Sequence, residues 1–370
     1  MTDPTTDDDF YRPAPTDFDA KPGTLLRRRA VRTPKLGRVR RAWQVVYATQ
    51  TGTDTPVPAS GIVLTADIVS SAGPEPVLVY CPAFHGLGGR CAPSHLLADG
   101  VSEPETGFLA AALERGWTIA IPDGQFLGIT GMGPHTFLAG KAAAHTALDL
   151  ARAVTQHPEL EAAHSPCALW GYADGGRAAV WAAEQAPHYT PELDLRAVAA
   201  GAVVTDPSRL VPDIDGGLWA GLAVAGFVGL SRAYAHLPVA HLVTVEGERA
   251  FETAGSLDVA ELLVRYREQR LGQWCEREDP WNDPVWRYVL DNETTARETP
   301  QVPVHLYHGT ADPLVPVAAG RDLLDEYRSR GAQVSWREYE TGHNGAAADG
   351  AAEAIARLAA ALAPRSTPAT

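Results

Sequence analysis

The sequence predicts an α/β fold, with a mostly parallel central sheet and helices on both of its faces. Short apolar runs, such as residues 77–80 and 117–123, alternate with segments of helical spacing, such as 107–115 and 141–154. Strands that alternate with helices indicate parallel crossover units. A glycine-rich turn between a strand and a helix, and an Asp and a Gly-His loop later in the chain, are two further signals of this fold.

The predicted strands and helices follow one another closely from residue 43 to residue 204. Two runs, 43–49 and 60–65, flank a Gly/Pro/Thr turn and predict an opening β-hairpin. Further strands are predicted at 77–80, 117–123, 167–170 and 195–204, and helices at 107–115, 141–154 and 177–185. Near the C-terminus, residues 302–309 predict a buried strand, which a helix and another strand follow.

The alternation stops between residues 206 and 299. A Gly/Ala-rich helical segment at 218–230 is followed by charged helical spacing at 259–273 and by a Trp-rich segment. We interpret this region as a helical cap, or lid, inserted between two strands of the sheet. The predicted organisation is therefore a loosely held N-terminal arm (1–24), a core made of residues 25–205 and 300–370, and the cap (206–299).

Residues 170–176 contain the spacing Gly-x-Ala-x-Gly, with Ala173 at its centre. In α/β-hydrolases, a Gly-x-Ser-x-Gly turn from strand to helix presents a nucleophile at the end of the sheet. The glycines are needed because the turn crowds its flanking residues and its central residue takes strained backbone angles. Taken alone, the spacing is more typical of an ordinary Gly/Ala-rich turn, so it needs support from other segments.

Two later segments supply that support. Asp312 follows the predicted strand 302–309, and His343 lies in a Gly-His loop after the next predicted strand. An elbow, then Asp, then His is the chain order of the α/β-hydrolase triad. We therefore predict that Asp312 orients the imidazole of His343, which would take the proton of a nucleophile at position 173. The methyl group of Ala173 cannot be that nucleophile.

Acyl transfer also requires backbone N–H donors directed at the oxygen that becomes negatively charged. We predict one donor from Asp174, which follows the nucleophile position, and another from the glycine-rich loop 82–88, where His85 and Gly86 are the candidates. The His85 side chain could donate as well, or have an orienting or purely structural role. The residues expected to bind the substrate are Phe84, Tyr172, Leu218, Trp219 and Phe227.

The formal net charge of −14 argues against nucleic acids and anionic membranes as partners. No run reaches the roughly 18 apolar residues of a membrane span, and residues 1–20 do not resemble a signal peptide, so we expect a cytoplasmic protein without integral membrane association. No His/Cys spacing resembles a zinc site, and we expect neither a metal nor another cofactor. Pairing of Cys91 with Cys275 stays open, as does assembly into a homo-oligomer.

The chain resembles the secretory lipase family, which includes lipases of the fungal lipase A type and actinobacterial relatives. The matching segments are 86–88 with 91–94, 121–123, 134–140, 170–176, 181–187, 308–312 and 342–343. The resemblance implies an α/β-hydrolase fold with a helical lid, and a serine esterase or lipase that uses an acyl-enzyme. It also implies that Asp312 and His343 are the acid and base, and that Ala173 replaces the nucleophilic serine. The family usually has Ser-Gln where this chain has Ala173-Asp174.

Three interpretations of Ala173 follow. The first is a carboxylic ester hydrolase whose serine was changed to alanine by engineering, which leaves it inactive or nearly so. The alternative is a natural pseudoenzyme that binds an ester or lipid without cutting it. A third, in which Asp174 is the nucleophile, is disfavoured because Tyr172 would then crowd the elbow. The expected partner is a small-molecule or lipid ester, and hydrolysis and acyl transfer both stay open.

Overall fold

The computed structural model describes residues 9–68, 75–101 and 105–364. In these residues nine strands form one sheet, in the order β1-β2-β3-β5-β4-β6-β7-β8-β9. The strands are β1 (Leu25–Val31), β2 (Val39–Gln50), β3 (Pro56–Ala66), β4 (Val77–Cys81), β5 (Thr118–Pro122), β6 (Cys167–Tyr172), β7 (Leu195–Gly201), β8 (Val304–Gly309) and β9 (Val334–Tyr339).

The helices that accompany the sheet fall into two groups. The core helices are α1 (Pro93–Asp99), α2 (Thr106–Leu113), α3 (Gly140–Gln156), α4 (Asp174–Tyr189), α10 (Val317–Ser329) and α11 (His343–Leu362). Between β7 and β8 lie α5 (Pro207–Ile214), α6 (Ala220–Ala233), α7 (Val245–Ala254), α8 (Val259–Arg265) and α9 (Pro284–Asn292).

The sheet is antiparallel at one edge and parallel through the rest. β1, β2 and β3 pair antiparallel, and β3 pairs antiparallel with β5. All neighbours from β5 through β9 are parallel. The predicted opening hairpin is confirmed, with Trp43 opposite Val63, and so is the mostly parallel sheet.

Both faces of the sheet are covered by apolar helices. Along β4, Val77 and Val79 pack into a cluster with α3, α4 and α10, whereas Leu78 and Tyr80 pack into a second cluster with α1, α2 and α11. Successive residues of a strand point to opposite faces, so a strand buried on both faces has an uninterrupted apolar sequence. This is why the short apolar runs predicted the strands well.

The insertion between β7 and β8 has its own apolar cluster, separate from the two on the sheet faces. In it, Phe227 of α6 packs against Phe251 and Trp286, with ring centroids 4.7 and 4.5 Å away. The predicted helix at 218–230 is present as α6. The charged segment 259–273 is helical only to Arg265, because Tyr266 ends α8 and a short 3-10 turn follows at Leu271–Trp274.

A buried ion pair joins the cap to the core. Arg177 of α4 donates to the carboxylate of Glu293, 2.8 Å away, and both side chains are at most 3% exposed. The same guanidinium donates to the carbonyl oxygens of Leu138, Val204 and Glu293. The Glu293 carboxylate also accepts from the Gly140 N–H. The start and the end of the cap are therefore held at one point.

A second carboxylate holds the segment that leads from the cap back into the sheet. Glu184 of α4 accepts from the backbone N–H groups of Ala296, Arg297 and Glu298 at 2.8 to 3.2 Å. It also accepts from the hydroxyl of Tyr327, 2.6 Å away. Because Glu184 is buried, these donors compensate for the water that its carboxylate gives up.

Residues 9–24 are held against the core, which differs from the expectation of a loose arm. Tyr11 is 2% exposed and lies 3.2 Å from Ser94 between the hydroxyl oxygens, while Asp17 accepts from Arg27 at 2.8 Å. Residues 1–8 of the predicted arm lie outside the described residues. All four cysteines are buried and free, so Cys91 and Cys275 do not form the disulfide that the sequence left open.

We predict that Glu293→Gln destabilises the protein by about 3 kcal/mol, because it removes the carboxylate that pairs with the buried Arg177 guanidinium. Chemical unfolding in guanidinium chloride measures this free energy. The control is Glu326→Gln, which removes a partly exposed pair with Arg330 and should cost less than about 1 kcal/mol. Equal effects of the two substitutions would show that the buried pair does not anchor the cap.

Candidate active site

The turn between β6 and α4 has the geometry of a nucleophile elbow. β6 ends at Tyr172, α4 begins at Asp174, and Ala173 between them has φ 53° and ψ −114°. A positive φ is unfavourable for a residue with a Cβ, and such strain persists only where the surrounding structure imposes it. The Ala173 N–H donates to the Gly201 carbonyl, 2.9 Å away, which ties the apex to β7.

Three glycines around the apex explain how this turn can close. A Cβ on Gly171 would lie 2.1 Å from the Gly175 carbonyl oxygen, and one on Gly175 would lie 2.1 Å from that of Cys81. A Cβ on Gly176 would lie 2.6 Å from the Gly201 carbonyl oxygen. Backbone therefore packs directly on backbone here, as the glycine spacing predicted.

Asp312 and His343 are adjacent in the structure. The Nδ1 of His343 is 2.6 Å from Oδ2 of Asp312, and Oδ1 of Asp312 accepts from the N–H groups of Leu314 and Val315, 2.9 Å away. Burial alone would raise the pKa of Asp312, but hydrogen bonds from His308 and His343 hold that pKa well below its ordinary value. The carboxylate is thus ionised and fixed in orientation toward the imidazole.

Tyr172 connects the elbow to the histidine. Its hydroxyl donates to the backbone carbonyl of His343, 2.6 Å away, and the centroids of the two rings are 5.1 Å apart at 64°. Since Tyr172 directly precedes Ala173, this hydrogen bond brings the elbow and the start of α11 together. The three segments that the sequence placed in order thus meet at one edge of the sheet.

His308 belongs to the same group, although the sequence analysis did not single it out. It is fully buried, its Nε2 donates to the Val315 carbonyl at 2.9 Å, and it lies 3.5 Å from Oδ2 of Asp312. His308 therefore supports the loop that carries Asp312. Its position directly before Gly309, at the end of the predicted strand, was the available signal.

Two backbone N–H groups are the candidates for binding a ligand oxygen at the elbow. Asp174 is the first residue of α4, and Gly86 follows His85 in the loop after β4, where its φ of 147° requires glycine. Within the part of the chain that the structure describes, neither of these N–H groups has a hydrogen-bond acceptor. They are therefore suited to donate to a ligand oxygen.

Glu105 organises the start of the loop predicted to form the oxyanion hole (residues 82–88, here the oxyanion loop), a role that the sequence analysis missed. Its carboxylate accepts from the Ala83 N–H and the Tyr80 hydroxyl, both at 2.9 Å, and lies 3.5 Å from Nε2 of His85. The side chain of His85 is thus turned toward a carboxylate of the core. No pattern in the sequence pairs a residue at the start of α2 with this loop.

A small cavity of about 40 Å³ lies behind the oxyanion loop, lined by Phe84, His85, His135 and Asp174 among others. Phe84 stacks on Phe137 there, with ring centroids 3.9 Å apart. Burial raises the pKa of the Asp174 carboxyl to about 6, and the Arg177 guanidinium opposes part of this rise. No donor among the described residues forms a hydrogen bond with that carboxyl.

The other predicted substrate-binding residues have different surroundings. Tyr172 is buried, and its hydroxyl is used by His343. Phe227 is 2% exposed inside the cap cluster, Trp219 packs against that cluster, and Leu218 is 54% exposed. The structure thus shows packing roles for Tyr172, Trp219 and Phe227, and places Leu218 at the surface; ligand contact by these residues stays a prediction.

A cavity of about 840 Å³ lies away from the elbow. It is bounded by α5, α10 and residues 294–297, and neither Ala173 nor His343 lines it. Among the residues that the structure describes, no group of three or more His, Cys, Asp or Glu side chains could hold a metal ion. No helix in the described ranges has the length and hydropathy of a membrane span.

The chemistry available at this site is limited by Ala173. The His343 imidazole, oriented by Asp312, can accept a proton, and the free N–H groups of Gly86 and Asp174 can stabilise negative charge on oxygen. The apex that would carry the attacking atom presents only a methyl group. A strained elbow, a following Asp and a last His on a mostly parallel sheet define the class as an α/β-hydrolase.

Comparison with known proteins identifies the family. The model of the family described as "Secretory lipase" matches residues 97–368, so this chain belongs to the secretory lipase family. It is 28% identical to "Lipase A" of Arthroderma benhamiae, over 95% of this chain and 78% of that protein. It is 27% identical to "Probable inactive lipase MT1628" of Mycobacterium tuberculosis, over 90% and 76%.

The same fold is found in a solved structure of lipase A from Candida antarctica in its closed state. The two structures superpose with a TM-score of 0.87, at 22% sequence identity, over 97% of this chain and 86% of that one. This likeness confirms the α/β-hydrolase fold predicted from the sequence. Membership of this family supports an ester hydrolase function.

We predict that Asp174→Asn stabilises the protein at pH 8 but not at pH 3.5. Because the pKa of the Asp174 carboxyl is raised in the folded state, ionising this carboxyl costs folding free energy. The cost grows as pH rises from the unfolded pKa, near 4, to about 6, and it remains at higher pH. Asn removes this cost, which we expect to be about 1–3 kcal/mol. Urea unfolding at several pH values measures it.

The matched control for this measurement is Asp325→Asn, which changes an exposed carboxylate on α10. That substitution should leave the shape of the stability profile between pH 3.5 and pH 8 unchanged. A profile for Asp174→Asn that runs parallel to the unsubstituted protein would show that the Asp174 carboxyl is not held in an unfavourable environment.

Proposed function

We propose that this chain binds a carboxylic ester at the elbow and leaves it intact. The observation that carries the proposal is the combination of Ala173, at φ 53° and ψ −114°, with an Asp312–His343 hydrogen bond of 2.6 Å. The oriented imidazole has an evident use only when a carbonyl carbon lies above the elbow. Without a hydroxyl or thiol at position 173, no acyl-enzyme can form.

The geometry assigns a role to each group in binding. The ester carbonyl oxygen would accept from the N–H groups of Asp174 and Gly86, as in the oxyanion hole of an acyl-transfer enzyme. The imidazole of His343 would face the alcohol oxygen of the ester, and Asp312 would hold the imidazole in the tautomer that has its proton on Nδ1. In a chain with serine at position 173, the same groups would carry out hydrolysis, or transfer of the acyl group to an alcohol.

Two origins of Ala173 lead to the same inactive protein. The sequence-based preference was an engineered hydrolase, with a natural pseudoenzyme as the alternative. The Mycobacterium tuberculosis relative whose name is "Probable inactive lipase MT1628" favours the natural origin. The genomic codon for residue 173 distinguishes them, because an alanine codon supports the pseudoenzyme and a serine codon supports engineering.

The proposed ligand is a lipid ester or a small-molecule ester with a short or medium acyl chain. The names of the relatives, which are lipases, support the ester class. The cytoplasmic location stays a prediction. The description of the family as secretory lipases argues against it.

We predict that Ala173→Ser creates esterase activity on p-nitrophenyl acyl esters, at least about 10³-fold above the unsubstituted chain. The elbow, His343 and Asp312 are already in place, so the hydroxyl is the one missing group. Release of p-nitrophenol measures the rate, and an active-site serine reagent should abolish it.

The control for this prediction is the double variant Ala173→Ser with His343→Ala, which should lose nearly all of the gained activity. If the single variant stays inactive over a range of acyl lengths although it folds with unchanged stability, the site is not an ester site of this mechanism.

We also predict that the unsubstituted chain binds p-nitrophenyl esters without releasing p-nitrophenol. Equilibrium dialysis measures the bound ester, and its recovery unchanged shows that no hydrolysis has occurred. Ala173→Leu is the control, because the larger side chain occupies the space above the elbow and should abolish binding. Equal binding by the two proteins would place the ester elsewhere.

A further inference from the structure

The oxyanion loop is bound by the cap as well as by the core. A short segment of the cap at the junction of α7 and α8, residues 256–259, runs antiparallel to residues 85–88, with Gly86 opposite Asp258. The Leu87 N–H donates to the Leu257 carbonyl, and the Val259 N–H donates to the His85 carbonyl, both at 2.9 Å. One half of this small ladder belongs to the insertion, and the other half to the catalytic core.

The two halves approach so closely that glycine is required on the core side. A Cβ on Gly86 would lie 2.6 Å from Cα of Asp258, and a Cβ on Gly88 would lie 2.5 Å from the Ser256 carbonyl oxygen. Gly88 has φ −84°, which any residue can adopt. Glycine is therefore needed at position 88 only because the cap lies so close. The close contact at Gly88 therefore exists only while the cap lies against this loop.

An ion pair extends this contact at the surface. Arg90 of the core pairs with Glu261 of α8 and lies 3.7 Å from the carboxylate of Asp258. Asp258 and Glu261 also form a reciprocal capping box at the start of α8, which fixes both carboxylates. Because these side chains are more than a third exposed, the pair contributes less than the backbone contacts.

The peptide bond between His85 and Gly86 links this contact to the chemistry. A trans peptide is planar, so its carbonyl and its N–H point in opposite directions. The Val259 N–H binds the His85 carbonyl on the cap side, which directs the Gly86 N–H away from the segment 256–259. That N–H has no acceptor in the described residues, as noted for the oxyanion donors.

We propose that Val259 is a positioning residue for the oxyanion hole: its N–H orients the His85–Gly86 peptide, so that Gly86 donates to the ligand only while the segment 256–259 is docked. This inference rests on the proposed function, because it assigns Gly86 to an ester carbonyl. It implies that a ligand enters without separating this segment from the oxyanion loop. The cap then forms part of the site and does not move away from it when a ligand enters.

Val259→Pro tests the proposal with little effect on α8 itself. Val259 is the first residue of α8, a position where proline is favoured and where its φ suits the helix. Proline removes the N–H and puts a ring carbon in its place, which displaces the His85 carbonyl. The matched control is Val245→Pro, at the first position of α7, where the N–H has no acceptor in the described chain.

The first measurement uses the chain with Ala173 and needs no activity. Backbone amide exchange and NMR should show the Leu87 amide exchanging at least tenfold faster in Val259→Pro, with a shifted Gly86 amide resonance. Both should be unchanged in Val245→Pro. Gly88→Ala, whose Cβ meets Ser256, should act in the same direction as Val259→Pro, and Arg90→Gln more weakly. Unchanged Leu87 and Gly86 amides in both Val259→Pro and Gly88→Ala would overturn the proposal.

The second measurement uses the Ala173→Ser protein. In that background Val259→Pro should lower kcat by at least about tenfold with KM within twofold, because oxyanion stabilisation acts in the transition state. Val245→Pro should leave kcat within twofold. Retention of kcat in Val259→Pro, with a fast-exchanging Leu87 amide, would overturn the positioning role. If Ala173→Ser itself is inactive, the proposed function fails, and the amide measurements alone decide whether the cap orients this loop.

Discussion

The arrangement of the whole molecule depends on the contacts of one guanidinium. Arg177 lies four residues after the apex of the elbow and binds the carbonyls of Leu138 and Val204 and both the carbonyl and the carboxylate of Glu293. These partners come from the core before α3, from the exit of β7 and from the end of the cap. An arginine can do this because its donors form a rigid planar fork. The elbow helix and the insertion therefore share a fixed frame.

The strain at Ala173 shows that the fold, and not the catalytic reaction, imposes the elbow. A positive φ at a residue with a Cβ costs on the order of 1–3 kcal/mol. Here backbone packs directly on backbone at Gly171, Gly175 and Gly176, which holds the turn between β6 and α4 in place. Loss of a nucleophile therefore need not relax the site. A protein of this family can lose its reactive group and still keep a geometry suited to an ester.

Much of the fold was predictable because its strands are buried on both faces and their apolar runs are short and uninterrupted. The order of Ala173, Asp312 and His343 was also readable, since each follows a strand and parallel strands end at the same edge. The sequence signals were wrong where tertiary contacts determine the end of a helix. The charge pattern of 259–273 predicted helical structure along the whole segment, but α8 ends at Arg265.

The residues that support the site were harder to predict, because each acts through contacts that form only in the folded chain. Glu105 reaches the oxyanion loop, His308 reaches the Asp312 loop, and Glu293 meets Arg177 more than a hundred residues away. A single Glu in a sequence is most often solvated, so nothing local marked Glu105 or Glu293, and His308 was marked only by its place at the end of a predicted strand. Tyr11 was likewise assigned to a loose arm, although its ring is buried against the core.

Glu184 has a consequence for how this architecture can diversify. Its carboxylate binds three successive backbone N–H groups, from Ala296 to Glu298, rather than side chains. These hydrogen bonds to backbone N–H groups do not depend on the side chains of the residues that donate them. At the other junction of the insertion, Arg177 likewise donates to a backbone carbonyl, that of Val204. Both junctions of the insertion are therefore tolerant of sequence change. Evolution can thus replace the cap helices outside the segment 256–259, and with them the choice of ligand, while the catalytic edge keeps its shape.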